Sequence, residues 1–342
     1  MDTPFTTLTR TNGDLDKGME KESRIFVAGH RGLVGSAIHR SLERHGYFNL
    51  ILRSHAELDL TDREAVKAFF DQQRPEYVFL AAARVGGILA NDTFPADLIR
   101  DNLEIQTSVI DASYRYGVKR LLFLGSSCIY PKLAPQPLKE EYLLTGSLEE
   151  TNRAYALAKI AGIEMCWSYN RQYGTRYLAA MPTNMYGPGD NFDLQGSHVL
   201  PALMRKIVEA KRAGAKSVVV WGTGRPRREF LYSDDLAAAC IHLMNLSAEV
   251  YGSLLTPEAA PLINVGTGED LTIKELAELV SEVLGFEGEL VFDTSKQDGT
   301  PRKLLDVSRI NALGWKASTP LAEGIRMTYE SARSQFEQRQ DV

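Results

Sequence analysis

The sequence predicts an α/β protein built on a doubly wound parallel sheet, with a smaller C-terminal α/β domain. Three observations carry this. From residue 24 onward, short apolar segments alternate with amphipathic helical ones. The apolar segments are continuous runs, such as YVFL at 77–80 and RLLFL at 120–124, as expected of strands covered on both faces. A glycine-rich turn joins the first of these strands to the first helix. A chain of 342 residues is long enough for two cores.

Residues 24–28 (RIFVA) read as a buried strand, and 33–45 as a helix with Leu, Val and Ile on one face. A short strand follows at 49–52 (NLIL). The helix at 62–73 turns Ala65, Val66, Phe69 and Phe70 inward. The third strand is 77–80, followed by a long helix at 96–116 and the fourth strand at 120–124. A second long helix at 151–173 leads to a strand at 176–181. Right-handed crossovers then place the loops after these strands along one edge of the sheet. Beyond Pro182 the pattern loosens. YGPG at 186–189 signals a loop, SVVVW at 217–221 a strand, and 234–245 and 271–284 helices. The expected division is a disordered tail at 1–23, a Rossmann-type domain at 24–182 to which later segments cross back, and a second domain over 183–335.

Composition removes several functional classes. A net charge of −5 and a pI near 5.8 give no basic footprint for nucleic acid. The most apolar stretch, 77–90, is interrupted by Arg84 and Gly86-Gly87 and is too short to span a bilayer. Cys128, Cys166 and Cys240 are widely spaced, with no CxxC pair, so neither a disulfide framework nor a thiolate metal site is indicated. A reducing, cytoplasmic setting is expected. The N-terminal residues lack an apolar signal segment, and Asp14, Asp16, Glu20 and Glu22 argue against a transit peptide.

The first strand runs into Gly29-His30-Arg31-Gly32-Leu33-Val34-Gly35. A GxxGxxG between strand and helix lets the backbone approach a pyrophosphate, which the helix N-terminus then receives. An NAD site places Asp or Glu at the end of the second strand, to bind the ribose 2′-hydroxyl. Here Arg53 stands at that point, and Arg31 lies in the loop. Two guanidiniums suit a 2′-phosphate, so NADP(H) is the expected cofactor.

Tyr155-Ala156-Leu157-Ala158-Lys159 is a YxxxK. Residues four apart share a helix face. Such a pair can transfer a proton to a sugar oxygen through the phenol, with Lys159 lowering the phenol pKa and ordering the cofactor ribose. Strand four ends at Leu124-Gly125-Ser126-Ser127-Cys128, delivering hydroxyls to the same sheet edge. Glycine loop, strand-end serine and YxxxK in this order resemble the extended short-chain dehydrogenase/reductase family, from residue 24 to 315. Narrower strings resemble its GDP-sugar epimerase-reductases: GHRG at 29–32, AAARVGGI at 81–88, GSSCIYP at 125–131, MPTNMYGP at 181–188, SHVLP at 197–201 and DGTPRK at 298–303.

That resemblance implies an NADPH-dependent enzyme acting on GDP-4-dehydro-6-deoxy-D-mannose. It assigns Ser126, Tyr155 and Lys159 to reduction, and Cys128 with His198 to epimerisation. It implies further cofactor contacts at Ala82, Leu124, Gly125, Pro182, Thr183, Asn184, Met185 and His198. Ser126, Ser127, Asn184, Lys206, Trp221, Arg228, Asp298 and Lys303 would hold the GDP-sugar. Asn102 would support Lys159 through a water. A homodimer through the two long helices is implied, with Ile105, Val109 and Ile163 exceeding the needs of one sheet face. The chain departs from the family at Asn152-Arg153-Ala154 and at residues 192–196, where loop conformation is at stake. Two other readings stay open: an NAD-dependent sugar-nucleotide 4-epimerase or 4,6-dehydratase, and a non-catalytic NADP-binding regulator.

Overall fold

The computed structural model describes residues 18–87, 91, 93–194, 196–296 and 298–338. The N-terminal half gives β1 (Ile25–Ala28), α1 (Leu33–Arg44), β2 (Leu50–Ile51), α2 (Arg63–Gln73), β3 (Tyr77–Leu80), α3 (Pro95–Arg115), β4 (Arg120–Leu124), α4 (Arg153–Tyr173) and β5 (Tyr177–Pro182). Helix ends follow local chemistry. Asp62 caps α2 by accepting from the Glu64 and Ala65 N–H groups, and α4 stops at Gly174 with φ +65°. The second half gives β6 (Asn184–Tyr186), α5 (Val199–Arg212), β7 (Ser217–Trp221), β8 (Arg227–Arg228), β9 (Phe230–Tyr232), α6 (Ser233–Met244), α7 (Ala248–Ser253) and β10 (Leu262–Val265). It continues with β11 (Leu271–Thr272), α8 (Ile273–Leu284), β12 (Glu289–Asp293), β13 (Arg302–Lys303), α9 (Ser308–Ala312) and α10 (Leu321–Gln338).

The main sheet has the order β10-β5-β4-β3-β1-β2, and every pairing is parallel. The chain reverses its direction of travel across the sheet between β1 and β3. The crevice beyond their carboxyl ends is where doubly wound sheets bind ligands. One face is covered by α1 and α6, packed with Ile25, Val27, Phe79 and Leu122. The other is covered by α2, α3 and α4, packed with Phe26, Val78, Leu80 and Phe123. Both faces being covered explains the unbroken apolar strands.

β10 and α6 belong to this domain although they lie beyond residue 182, so the chain returns to its first sheet. Residues 18–23 also differ from the expected tail. Met19 is buried in the sheet core, its N–H bonds Asn245 Oδ1 at 2.9 Å, and Tyr77 donates to the Gly18 carbonyl at 3.3 Å. An apolar Met in a polar segment found a core partner there. Residues 1–17 of that expectation lie outside the described residues.

The smaller domain has its own core, with Leu203, Met204 and Ile207 of α5 against Leu276 and Val280 of α8. β7 pairs in parallel with β12. Its alternation buries Val218 and Val220 and exposes Val219 and Trp221, as a half-covered strand requires. α8 starts with a Thr272–Glu275 capping box. A short strand set of β11, β8 and β13 brings Arg228 alongside Lys303.

Candidate active site

The glycine loop leaves no room for side chains where a dinucleotide must approach. Gly29 has φ +85°, and a Cβ there would lie 2.7 Å from the Ala82 nitrogen. At Gly35 it would lie 2.1 Å from the Gly29 carbonyl oxygen. Gly32 occupies the N-cap of α1 with no side-chain cap, and the first turn carries no acid. The N-terminal N–H groups therefore face the switch point with no carboxylate in the helix's own first turn opposing an anion. His30 is held below its usual imidazole range by desolvation, then by Arg31 and His39. Arg53 extends over Phe69, 5.6 Å from the ring centroid, and donates to the Leu52 carbonyl at 2.7 Å. A carboxylate does stand nearby: Glu57 accepts from the Ser54 N–H at 2.7 Å and hydroxyl at 2.6 Å, and both arginines help hold its pKa low. It braces the turn after β2. These residues fit NADP(H).

α4 presents Tyr155 and Lys159, the candidate reductase pair. Lys159 is buried and donates to the Leu124 carbonyl at 2.8 Å. Its ammonium lies 5.7 Å from the Tyr155 ring centroid and 4.9 Å from that of Phe123. Burial pushes Lys159 down to about 8, slightly offset by Cys128. The expected lowering of the phenol by Lys159 is not found. Desolvation first, then Cys128, lift Tyr155 above the ordinary phenol range. Gln106 of α3 fixes the helix by donating to the Ala158 carbonyl at 2.7 Å. Gly162 allows the close approach of Phe123 and Gln106, which a Cβ would meet at 2.4 and 2.8 Å.

Ser126 ends the strand-four turn as the N-cap of a 3-10 turn at Ser127–Ile129, accepting from the Cys128 N–H at 3.4 Å. Burial raises the Cys128 thiol, while Lys303, Ser126 and Lys159 pull it down. Cys128 thus lies within electrostatic reach of Tyr155, Lys159 and Lys303 together. His198 occupies the N-cap position of α5 but makes no side-chain cap hydrogen bond. It is exposed by surface area yet set among dense protein mass, so desolvation and then Lys303 lower its imidazole. A recess beside Cys128 is bordered by Ser127, Lys132, Glu149, Thr300 and Lys303.

The remaining candidates form two walls. On one, Thr183 and Asn184 donate to the Glu229 carbonyl at 3.3 and 2.8 Å, directly after Pro182 at the end of β5, and Met185 packs on the sheet core. On the other, Trp221 is 59% exposed with Lys206 and Lys296 at 4.8 and 5.5 Å from its centroid. That is an apolar plate flanked by cations. Asp298 accepts from the Thr223 N–H and hydroxyl and partly offsets the desolvation of Arg228. Asn102 bonds the Arg84 backbone and the Leu98 carbonyl and so shapes the loop after β3. Sequence reasoning also missed Glu57, Gln106 and Glu229. Gln106, a polar residue amid the apolar face of α3, was the one legible signal.

Residues 25–253 match the NAD dependent epimerase/dehydratase family. GDP-L-fucose synthase 1 of Arabidopsis thaliana is 58% identical over 91% of this chain and 93% of its own. GDP-L-fucose synthase of Escherichia coli K12 is 55% identical over 90% and 96%. The chain belongs to the GDP-L-fucose synthase family. Solved structures agree in fold. A GDP-L-fucose synthetase from Naegleria fowleri bound to NADP aligns at TM-score 0.85 with 29% identity, covering 97% of this chain and 99% of that one. A GDP-6-OMe-4-keto-L-xylo-heptose reductase from C. jejuni aligns at 0.87 with 43% identity, covering 93% and 99%.

Proposed function

We propose that the protein converts GDP-4-dehydro-6-deoxy-D-mannose to GDP-L-fucose, by epimerisation at C3 and C5 and then reduction at C4. What supports this most is that Cys128 shares its surroundings with Tyr155, Lys159 and Lys303. A thiol beside a Tyr–Lys pair suits an enzyme that moves protons on carbon as well as reducing a carbonyl. Membership in the GDP-L-fucose synthase family supplies the substrate.

The hydrogens on C3 and C5 are both α to the C4 carbonyl. Cys128 and His198 remove one proton and return another to the opposite face. Ser126 and Tyr155 stabilise the enolate oxygen meanwhile. When bound, NADPH would supply the hydride for C4. Tyr155, kept protonated by burial, gives its proton to the C4 oxygen. Lys159 would hold the cofactor ribose, Arg31 and Arg53 would hold the 2′-phosphate, Ala82, Leu124 and Gly125 would contact the cofactor, and residues 182–185 would line the nicotinamide side. Trp221 carries the base. Lys206, Arg228 and Lys303 face the diphosphate and sugar, and Asp298 sets the turn beside them. Stoichiometric NADPH oxidation with GDP-4-dehydro-6-deoxy-D-mannose, yielding GDP-L-fucose, tests this. Turnover without NADPH consumption would favour the 4-epimerase or dehydratase reading instead.

A cytoplasmic setting is part of the proposal, supported by three free, buried cysteines. Among the described residues no helix is long and apolar enough to cross a membrane. A homodimer through α3 and α4 is also proposed, but not on the residues first considered. Val109 and Ile163 are fully buried in the subunit's own core, and Ile105 packs against it. Leu157 and Tyr173 of α4, each 39% exposed, are the support that remains.

A further inference from the structure

Glu229 lies between β8 and β9 and has no accessible surface. Backbone N–H groups balance its carboxylate. Oε1 accepts from Thr267 at 2.6 Å and Gly268 at 2.8 Å, and Oε2 accepts from Leu305 at 2.9 Å. The Thr267 hydroxyl adds a longer contact at 3.3 Å. Gly266 is obligatory beneath it, since a Cβ there would lie 2.2 Å from Oε1. The same residue's carbonyl receives the Thr183 and Asn184 side chains. Three segments distant in sequence therefore meet on one residue: the 183–184 stretch, the 266–268 turn, and Leu305, two residues past the end of β13. Arg228 precedes Glu229 directly, and β13 sets Lys303 opposite Arg228.

A buried carboxylate without a cation is costly to desolvate. An apolar side chain of similar size would fill the space, but it would leave three N–H groups unanswered and the segments unconnected. Binding of the sugar nucleotide needs the strand that carries Lys303 held in fixed relation to the wall at Thr183 and Asn184, since a displaced ammonium loses its charge-assisted contact with the ligand.

We propose that Glu229 is a positioning residue that locks the wall at Thr183 and Asn184 to the strand carrying Lys303 toward the sugar nucleotide. It touches no reacting atom, and the proposal rests on the function proposed above. Glu229→Gln in the full-length enzyme keeps the shape and one acceptor oxygen. Its amide NH2 must then face either Leu305 or the Thr267–Gly268 pair, two donors against each other. Loosening Leu305 shifts Lys303, whereas the backbone carbonyl that holds Thr183 and Asn184 is unaltered. The expected result is a KM for GDP-4-dehydro-6-deoxy-D-mannose raised on the order of tenfold, with NADPH affinity by fluorescence unchanged. Gly266→Ala should reproduce this split from the other side, by displacing the carboxylate without removing its charge. A merely structural role would lower the active fraction and kcat at constant KM. That result overturns the proposal, as does loss of fold in both variants. A wild-type enzyme that leaves NADPH untouched sinks the functional reading and this proposal with it. An active wild type beside variants of unchanged KM sinks the proposal alone.

Discussion

Replacing Lys159 by Met should stabilise the protein at neutral pH while disabling it. The ammonium is buried, and its folded-state pKa is lowered from 10.5 to about 8. At about 1.36 kcal/mol per pKa unit, keeping it charged costs about 3 kcal/mol. Met keeps nearly the same volume without the charge. The Leu124 carbonyl loses its 2.8 Å donor, which costs about 1–3 kcal/mol. The net gain at pH 7 is then about 1 kcal/mol. The sign with pH follows from proton counting. Between about 8 and 10.5 the unfolded wild type holds a proton that the folded form has released, so wild-type stability rises with pH. The variant lacks this rise. Its advantage should shrink above pH 8 and reverse to a deficit of about 2 kcal/mol near pH 10.5. Urea unfolding of both proteins at pH 7 and pH 10, without nucleotide, measures the difference while other titrations cancel. NADPH oxidation by the variant should fall by at least about 10²-fold. A stability difference that does not change between the two pH values would show that Lys159 carries no buried charge, and the reasoning would fail.

Arg53→Asp should weaken NADPH more than NADH, because it removes a cation from the proposed 2′-phosphate site and supplies the carboxylate that a ribose hydroxyl prefers. Equal losses in the two titrations would release Arg53 from that role. Cys128→Ser should suppress solvent deuterium uptake at C3 and C5 by roughly 10² to 10⁴ while NADPH oxidation continues on the unepimerised sugar; wild-type uptake would return Cys128 to a packing role. Tyr155→Phe should do the reverse, with NADPH oxidation falling steeply and deuterium uptake slowed but persisting, because Ser126 still stabilises the enolate oxygen. Uptake that stopped in the phenylalanine variant would make the phenol essential to the enolate as well.

Much of this site was legible because its parts sit where periodic elements end. The glycine loop follows β1, Ser126 and Cys128 follow β4, and Tyr155 and Lys159 share one face of α4. Each is fixed by local geometry that a sequence displays. What was not legible depends on distant partners. β10 is only four residues long and is interrupted by Asn264, after a loose, proline-containing stretch, and only its pairing with β5 makes it part of the main sheet. α6 is buried along most of its length, so no stripe of polar residues announced that it packs on α1. Met19 looked like part of a solvated tail until Asn245 and Tyr47 were beside it. The direction of the Tyr155 shift is hidden for a related reason: spacing places Lys159 on the right face, but burial of the phenol, which no spacing displays, raises it. Glu229 was hidden most completely. A glutamate after two arginines reads as surface, and its backbone donors lie 38, 39 and 76 residues away.

The central claim is that one pocket moves protons at two carbons and hydride at a third. The direct measurement is mass spectrometry of the nucleotide sugar formed from GDP-4-dehydro-6-deoxy-D-mannose in D₂O with unlabelled NADPH. The account predicts GDP-L-fucose with deuterium at C3 and C5, hydrogen at C4, and NADPH consumed in equal amount. A sugar altered at C4 with no solvent label at C3 or C5, or formed with no NADPH consumed, would contradict it.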